Sequence, residues 1–181
     1  MKKVAVLFAY GFEEVEAVTP VDFLRRAGIE VITAGIGSRE ITGAHGIKIL
    51  TDTGIDNLPE DLDGIIIPGG MPGSVNVANS EKAVSLIKTL YDRNRLVAAI
   101  CAAPAEVLSK IGILDAKKAT CYPGCEAAFT STVYINKRVV VDGNIITSQA
   151  PGTAAEFAVE IIRHLKGDRA AADVFDSTCQ K

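Results

Sequence analysis

Cys101 stands where a chain can place a nucleophile. It ends the run Arg95-Leu96-Val97-Ala98-Ala99-Ile100, which has the pattern of a buried strand, and opens Ala102–Leu108, which has the pattern of a helix. At such a turn the sulfur lies beside the unpaired N–H groups and the positive dipole end of the helix, both of which favour thiolate over thiol. Ala99 and Ala103, two positions away on either side, leave room for a sharp turn, as the glycines of a G-x-S-x-G elbow do around its serine. A cysteine taken at random is a small buried hydrophobe. The turn position is what sets Cys101 apart.

A thiol nucleophile needs donors for the oxyanion it generates. Gly69-Gly70, in the loop Pro68–Gly73 after another strand-like run, lets backbone N–H groups approach a ligand, and the N–H groups of Gly70 and Ala102 are the candidates. The rival use of such a loop is phosphate binding, but Gly11 stands alone where G-x-G-x-x-G would sit and no G-x-x-x-x-G-K-[ST] occurs. Glu16 lies about one helical turn into the apolar stretch Val15–Val18, with Pro20 expected to kink the helix. A carboxyl held there would be desolvated, would keep its proton opposite a thiolate and could shuttle it during turnover. The plainer alternative is that Glu13, Glu14 and Glu16 only favour a helix N-terminus.

Two histidines occur, His45 in a turn-like segment and His164 on the polar face of a helix, and both have the character of surface residues. Cys121-Tyr122-Pro123-Gly124-Cys125 has metal-like spacing, but one pair without a second Cys/His cluster is a weak zinc signal. These two are taken as structural or incidental thiols and Cys179 as a tail thiol.

The elements that must position these groups alternate between strand and helix. Strands are expected near Val4–Phe8, Glu30–Ala34, Gly64–Ile67 and Leu96–Ile100, and helices near Glu14–Ala27 and Glu81–Arg93, the latter capped by Ser80. A small antiparallel section follows: Val133–Ile135 turns through Asn136-Lys137 into Arg138–Val141, and Asp142-Gly143 turns into Asn144–Thr147. The last strong helix opens with the capping box Thr153–Glu156 and buries Ala154, Phe157, Ala158, Ile161 and Leu165, with a weaker helical tail beyond. This is the pattern of one α/β domain over residues 1–181, a doubly wound, mostly parallel sheet with helices on both faces. Its ligands bind beyond the carboxyl ends of the strands, where the loops after Phe8, Ile67 and Ile100 converge.

Composition narrows the partners. A net charge of -3, without a cluster of Lys and Arg, argues against a nucleic-acid surface. The apolar start is short and runs into Glu13, Glu14 and Glu16, which disfavours a signal peptide, and no run approaches the roughly 18 residues of a membrane span. A soluble cytoplasmic protein with reduced thiols is expected, since four cysteines are too few for a disulfide framework in this length.

With Cys101, Glu16 and Gly69-Gly70 in place, the chain resembles the ThiJ/PfpI superfamily in its DJ-one (parkinsonism-associated deglycase) branch. The resemblance spans nearly the whole chain. It rests on Gly11–Glu16, Thr19–Gly28, Ile67–Gly70, Ala98–Ala102 and Thr147–Thr153. It implies a flavodoxin-like domain, usually a homodimer, with Cys101 as the reactive cysteine beside a protonated Glu16. Gly70 and Ala102 are the implied backbone donors, Asp22 a position near the site and Arg26 a dimer contact. Relatives often carry a histidine near the cysteine where this chain has Tyr122, and the peptidases of the superfamily have histidine directly after the nucleophile, where this chain has Ala102. The implied activity is cofactor-independent and uses no metal. Its substrates would be α-oxoaldehydes such as methylglyoxal, free or as glycated amines and thiols, in defence against carbonyl or oxidative stress. The alternative is a redox sensor or chaperone that responds through oxidation of Cys101.

Overall fold

The apolar runs become the centre of one sheet because they are buried on both faces, as parallel strands in an α/β layer are. The computed structural model describes residues 1–180. In chain order, β1 (Lys3–Phe8), α1 (Glu14–Arg26) and β2 (Glu30–Gly35) are followed by the hairpin β3 (Glu40–Thr42) and β4 (Lys48–Leu50) and by β5 (Thr53–Gly54). Then come β6 (Gly64–Ile67), α2 (Gly73–Ala78), α3 (Glu81–Asp92), β7 (Leu96–Ile100), β8 (Lys118–Ala119) and β9 (Val133–Tyr134). The chain closes with β10 (Val139–Asp142), β11 (Ile145–Ser148), α4 (Ala154–Lys166) and α5 (Asp168–Ser177).

The main sheet has the order β10-β11-β7-β6-β1-β2-β5, parallel except for β10 at one edge. The expected flavodoxin-like α/β layering is therefore present. Alternation along each strand divides the interior in two. Val4, Val6, Phe8, Ile66, Ala98 and Ile100 join a core with Leu24 of α1 and Phe157 and Ile161 of α4. Ala5, Leu7, Ile65, Ile67, Val97 and Ala99 join the opposite core with Ala83, Ile87 and Leu90 of α3. The Ser80 side chain caps α3 by accepting from the Ala83 N–H at 3.3 Å.

Two local expectations are corrected. Val133–Ile135 does not pair with Arg138–Val141; β9 instead lies parallel to β8, with Lys118 opposite Val133 and Ala119 opposite Tyr134. The Asn136-Lys137 turn lacks the glycine that a tight two-residue hairpin favours, whereas Gly143, at φ 62°, supplies it for the β10–β11 turn. Nor does Thr153 form the expected capping box with Glu156. Its hydroxyl meets the Ala150 carbonyl at 2.8 Å and Ser148 Oγ at 2.6 Å, while Glu156 is drawn to Arg138 at 2.8 Å. The weaker tail is a regular helix, α5, and the β3–β4 hairpin and β5 have no counterpart in the sequence expectations.

Phe157 is fully buried where α4 meets the sheet. Phe157→Ala is expected to cost about 3–5 kcal/mol of stability through lost burial and a residual cavity. Urea denaturation checks this, and a loss below about 1 kcal/mol would contradict the placement of the core.

Candidate active site

β7 ends at Ile100 and delivers Cys101 into a left-handed backbone conformation, φ 66°, which a residue with a side chain seldom adopts. Two hydrogen bonds hold it there. The Cys101 N–H donates to the Ser148 carbonyl at 2.9 Å, and the Cys101 carbonyl accepts from the Tyr122 N–H at 2.8 Å. Ser148 is available because β11 runs parallel beside β7, with Ser148 opposite Ile100. The helix expected after Cys101 is a short segment, Pro104–Ser109, of the wide π type, a form associated with functional turns.

Glu16 comes from the first turn of α1 and is fully buried. Its Oε2 accepts the Gly69 N–H at 2.9 Å, and Oε1 has no hydrogen-bond partner of ordinary geometry. The carboxyl and the thiol meet over Gly69. A β-carbon at Gly69 would lie 2.5 Å from Cys101 Cβ, 2.7 Å from Glu16 Oε2 and 3.0 Å from Cys101 Sγ, so only glycine fits. Gly70, at φ 89°, turns the loop so closely that a β-carbon there would lie 2.5 Å from the Glu13 nitrogen. The sequence candidates Cys101, Glu16, Gly69, Gly70 and Ala102 thus share one place.

Burial pushes Glu16 up to about 8; contact with the Cys101 thiol opposes the rise, the nearby charge of Glu13 adds to it, and the Gly69 N–H opposes it. Burial also pushes the Cys101 thiol up, reinforced by the charge and hydrogen bonding of Glu16, against the pull of the Gly70 and Ala102 N–H groups. This corrects the expectation that the strand-to-helix turn alone would yield a thiolate. With Glu16 ionised, desolvation and repulsion outweigh the two backbone donors. With Glu16 protonated the repulsion is gone, so the thiolate depends on where the carboxyl proton sits.

The three glutamates at the start of α1 do different work. Glu13 caps the helix, its Oε2 accepting from the Glu16 N–H at 2.7 Å. Sequence reasoning missed Glu13, although its spacing of three residues from Glu16 is that of an N-cap and its N3 partner. Glu14 accepts from the His45 N–H at 2.7 Å and lies 2.8 Å from His45 Nδ1, which ties the β3–β4 loop to α1. Glu13, Glu14 and His45 bring one ligand atom each within 4.8 Å of one another. These carboxylates are already engaged by N–H groups, so a cation there would have to displace hydrogen bonds of the fold. Asp22 pairs with Arg26 at 2.6 Å on the exposed face of α1, and neither is among the groups that shift Cys101 or Glu16. Tyr122 is anchored to Cys101 through its backbone, and its side chain is largely exposed. Cys121 is buried, Cys125 half-buried and Cys179 exposed, all as free thiols.

A model of the DJ-1/PfpI family matches residues 2–164. The chain belongs to the DJ-1/PfpI family. It is 40% identical over 167 residues to DJ-1 homolog B of Arabidopsis thaliana, covering 91% of this chain and 38% of that protein. The chain spans less than half the length of the Arabidopsis relatives, 45% in the case of homolog A. A protein named as a deglycase from Pyrococcus horikoshii is 34% identical over 167 residues, covering 91% of this chain and 99% of that one. Among solved structures, oxidized Toxoplasma gondii DJ-1 superimposes with a TM-score of 0.97 at 36% identity, covering 99% of each chain. No helix among the described residues of this DJ-1/PfpI member is long and apolar enough to cross a membrane.

Two measurements test the site. Gly69→Ala is expected to displace the Glu16 carboxyl and slow Cys101 alkylation by about tenfold, the effect of one pKa unit. Intact-mass kinetics with iodoacetamide reports it, and an unchanged rate would mean that the crowding over Gly69 is relieved without disturbing the pair. Glu16 also sets a pH trend. Its folded pKa, about 8, exceeds its ordinary 4.5, so between these values the unfolded chain gives up the proton first and wild-type stability falls as pH rises. Glu16→Gln removes that slope. The variant should therefore gain on wild type in chemical denaturation across this window, and parallel curves would show an ordinary carboxyl.

Proposed function

We propose that the protein is a cofactor-independent enzyme of the glyoxalase/deglycase type, acting on α-oxoaldehydes such as methylglyoxal or on their early adducts with amines and thiols. The observation that carries this reading is the meeting of the Cys101 sulfur and the buried Glu16 carboxyl over Gly69, with the carboxyl at about 8. A carboxyl titrating near neutrality can both give and take a proton in one turnover. The Pyrococcus relative, named a deglycase, supports the same class of substrate.

In this mechanism the Cys101 thiolate adds to the aldehyde carbon, forming a C–S bond, and the carbonyl oxygen takes the Glu16 proton to give a hemithioacetal. The N–H groups of Gly70 and Ala102 steady the oxyanion as it forms. Glu16, now ionised, removes the proton from the former aldehyde carbon and returns it to the neighbouring carbon through an enediol, while the hydroxyl proton passes from the first oxygen to the second and leaves a thioester carbonyl. Water then cleaves the resulting thioester, releasing the 2-hydroxy acid and restoring the thiol. The net reaction is methylglyoxal plus water to lactate, with no external oxidant or reductant. Cys101→Ser is expected to abolish lactate formation, and Glu16→Gln to lower it by about 10²–10⁴-fold, the range typical of a lost acid–base group. Retention of wild-type turnover in Cys101→Ser would refute the assignment.

A second reading is favoured by the oxidized Toxoplasma relative. Cys101 would reduce two equivalents of hydrogen peroxide to water, becoming the sulfinic acid, to which a protonated Glu16 can donate a hydrogen bond. Peptide mapping after mild peroxide should find Cys101 oxidised ahead of Cys121, Cys125 and Cys179; oxidation of the others first would discard this role.

The assembly implied is a homodimer through α1. Val15 and Val18 leave apolar surface exposed on this helix, and Ile47 and Leu50 do so on the hairpin that Glu14 ties to it. Arg26 lies on the same helix. Val18→Glu with Leu50→Glu should convert a dimer to a monomer in light scattering, and a wild-type protein that is monomeric at high concentration would exclude the assembly.

A further inference from the structure

A closed ring of hydrogen bonds joins the start of α1 to the loop after β6. The Glu13 N–H donates to the Gly69 carbonyl at 3.0 Å, the Gly69 N–H donates to Glu16 Oε2 at 2.9 Å, and the Glu16 N–H donates to Glu13 Oε2 at 2.7 Å. All three residues are buried, and the absence of a β-carbon at Gly70 lets the loop press against the Glu13 nitrogen. One leg of the ring depends on the side chain at position 13.

Helix caps are ordinarily Ser, Thr, Asp or Asn, whose short side chains reach the first free N–H groups. Glutamate is longer, loses more rotamer freedom on burial and sets a second carboxyl near a buried one. A plain cap needs no charge beside a buried carboxyl.

We propose that Glu13 is a positioning residue for the Cys101–Glu16 pair, its carboxylate closing the ring that fixes the Glu16 carboxyl and the Gly69-Gly70 peptide against the sulfur. This rests on reading Cys101 and Glu16 as a reacting pair, but not on which substrate they meet. The charged and titratable neighbours are few. Cys101 and Glu13 face Glu16, while Glu14 and His45, beside Glu13, are paired with each other. The Glu13 charge acts on Glu16 and is not among the causes that move Cys101, so it favours the proton on the Glu16 carboxyl and lessens the repulsion that opposes ionisation of the sulfur.

The test is the rate of Cys101 alkylation by iodoacetamide as a function of pH in the full chain, alongside a carbon-NMR titration of the Glu16 carboxyl. Glu13→Gln keeps an acceptor oxygen and loses the charge; it is expected to slow alkylation at neutral pH several-fold and to move the Glu16 titration to lower pH. Glu13→Ala loses the acceptor as well and is expected to slow alkylation by about tenfold or more. Glu13→Asp, a good cap that keeps the charge, is expected to stay within about twofold of wild type. Alkylation and Glu16 titration curves for Glu13→Gln that superimpose on wild type would overturn the proposal, as would a Glu13→Asp protein as impaired as Glu13→Ala. Should Glu13→Ala fail to fold, Glu13→Gln and Glu13→Asp decide alone. Absence of lactate formation in wild type, with alkylation still dependent on Glu13, would refute the glyoxalase reading and uphold this one.

Discussion

The backbone of Cys101 is held in a conformation it would not adopt on its own, and the site is arranged around that constraint. A non-glycine residue in the left-handed region persists only where its surroundings over-determine it, at a cost of order 1–3 kcal/mol. Here the surroundings are the end of β7, the Ser148 carbonyl from β11 and the Tyr122 N–H from the segment after β8. Because β11 lies parallel to β7 and in register, Ser148 arrives level with the turn. The turned backbone aims the sulfur at Gly69, where α1 has already placed a carboxyl. Sheet topology, elbow strain and the position of the reactive atoms are one arrangement.

Electrostatics at the site are set less by a helix dipole than by carboxyl groups in short supply of water. Glu16 lies inside, Glu13 caps the helix that carries it, and Glu14 is bonded to His45 at the margin. Desolvation raises both members of the Cys101–Glu16 pair, so each holds its proton more tightly than in water, and the charge on one sets the ease of ionising the other. Such a pair differs from a cysteine activated by histidine, in which two oppositely charged partners stabilise each other.

The parallel sheet was legible because its strands are uninterrupted apolar runs, and α3 because Ser80 and the spacing of Ala83, Ile87 and Leu90 agree. The elbow was legible from the small residues around Cys101, and the glycine loop from Gly69-Gly70. Short elements were not. The β8–β9 pair has two residues in each strand, too few for alternation to register, and Thr153 was claimed by Ser148 and Ala150 through contacts no local pattern announces. The roles of Glu13, Glu14 and Glu16 look alike in one dimension, since all three suit a helix N-terminus. What distinguishes them is which way each faces, and that is fixed by Gly69 on one side and His45 on the other. The direction of the Cys101 shift escaped for a related reason: position in a turn reveals nearby dipoles but not the depth of burial.

The crowding of acidic groups near the Cys101 sulfur has a consequence for what approaches and leaves it. Once the Cys101 sulfur is ionised the pair carries a net negative charge, and the Glu13 carboxylate lies one helical turn away. A neutral aldehyde meets no barrier from this field. Under the proposed reaction the carboxylate of a 2-hydroxy acid would, and once freed from the sulfur it would be repelled by the same charges. The site would then favour uncharged electrophiles on entry and repel its own product on exit.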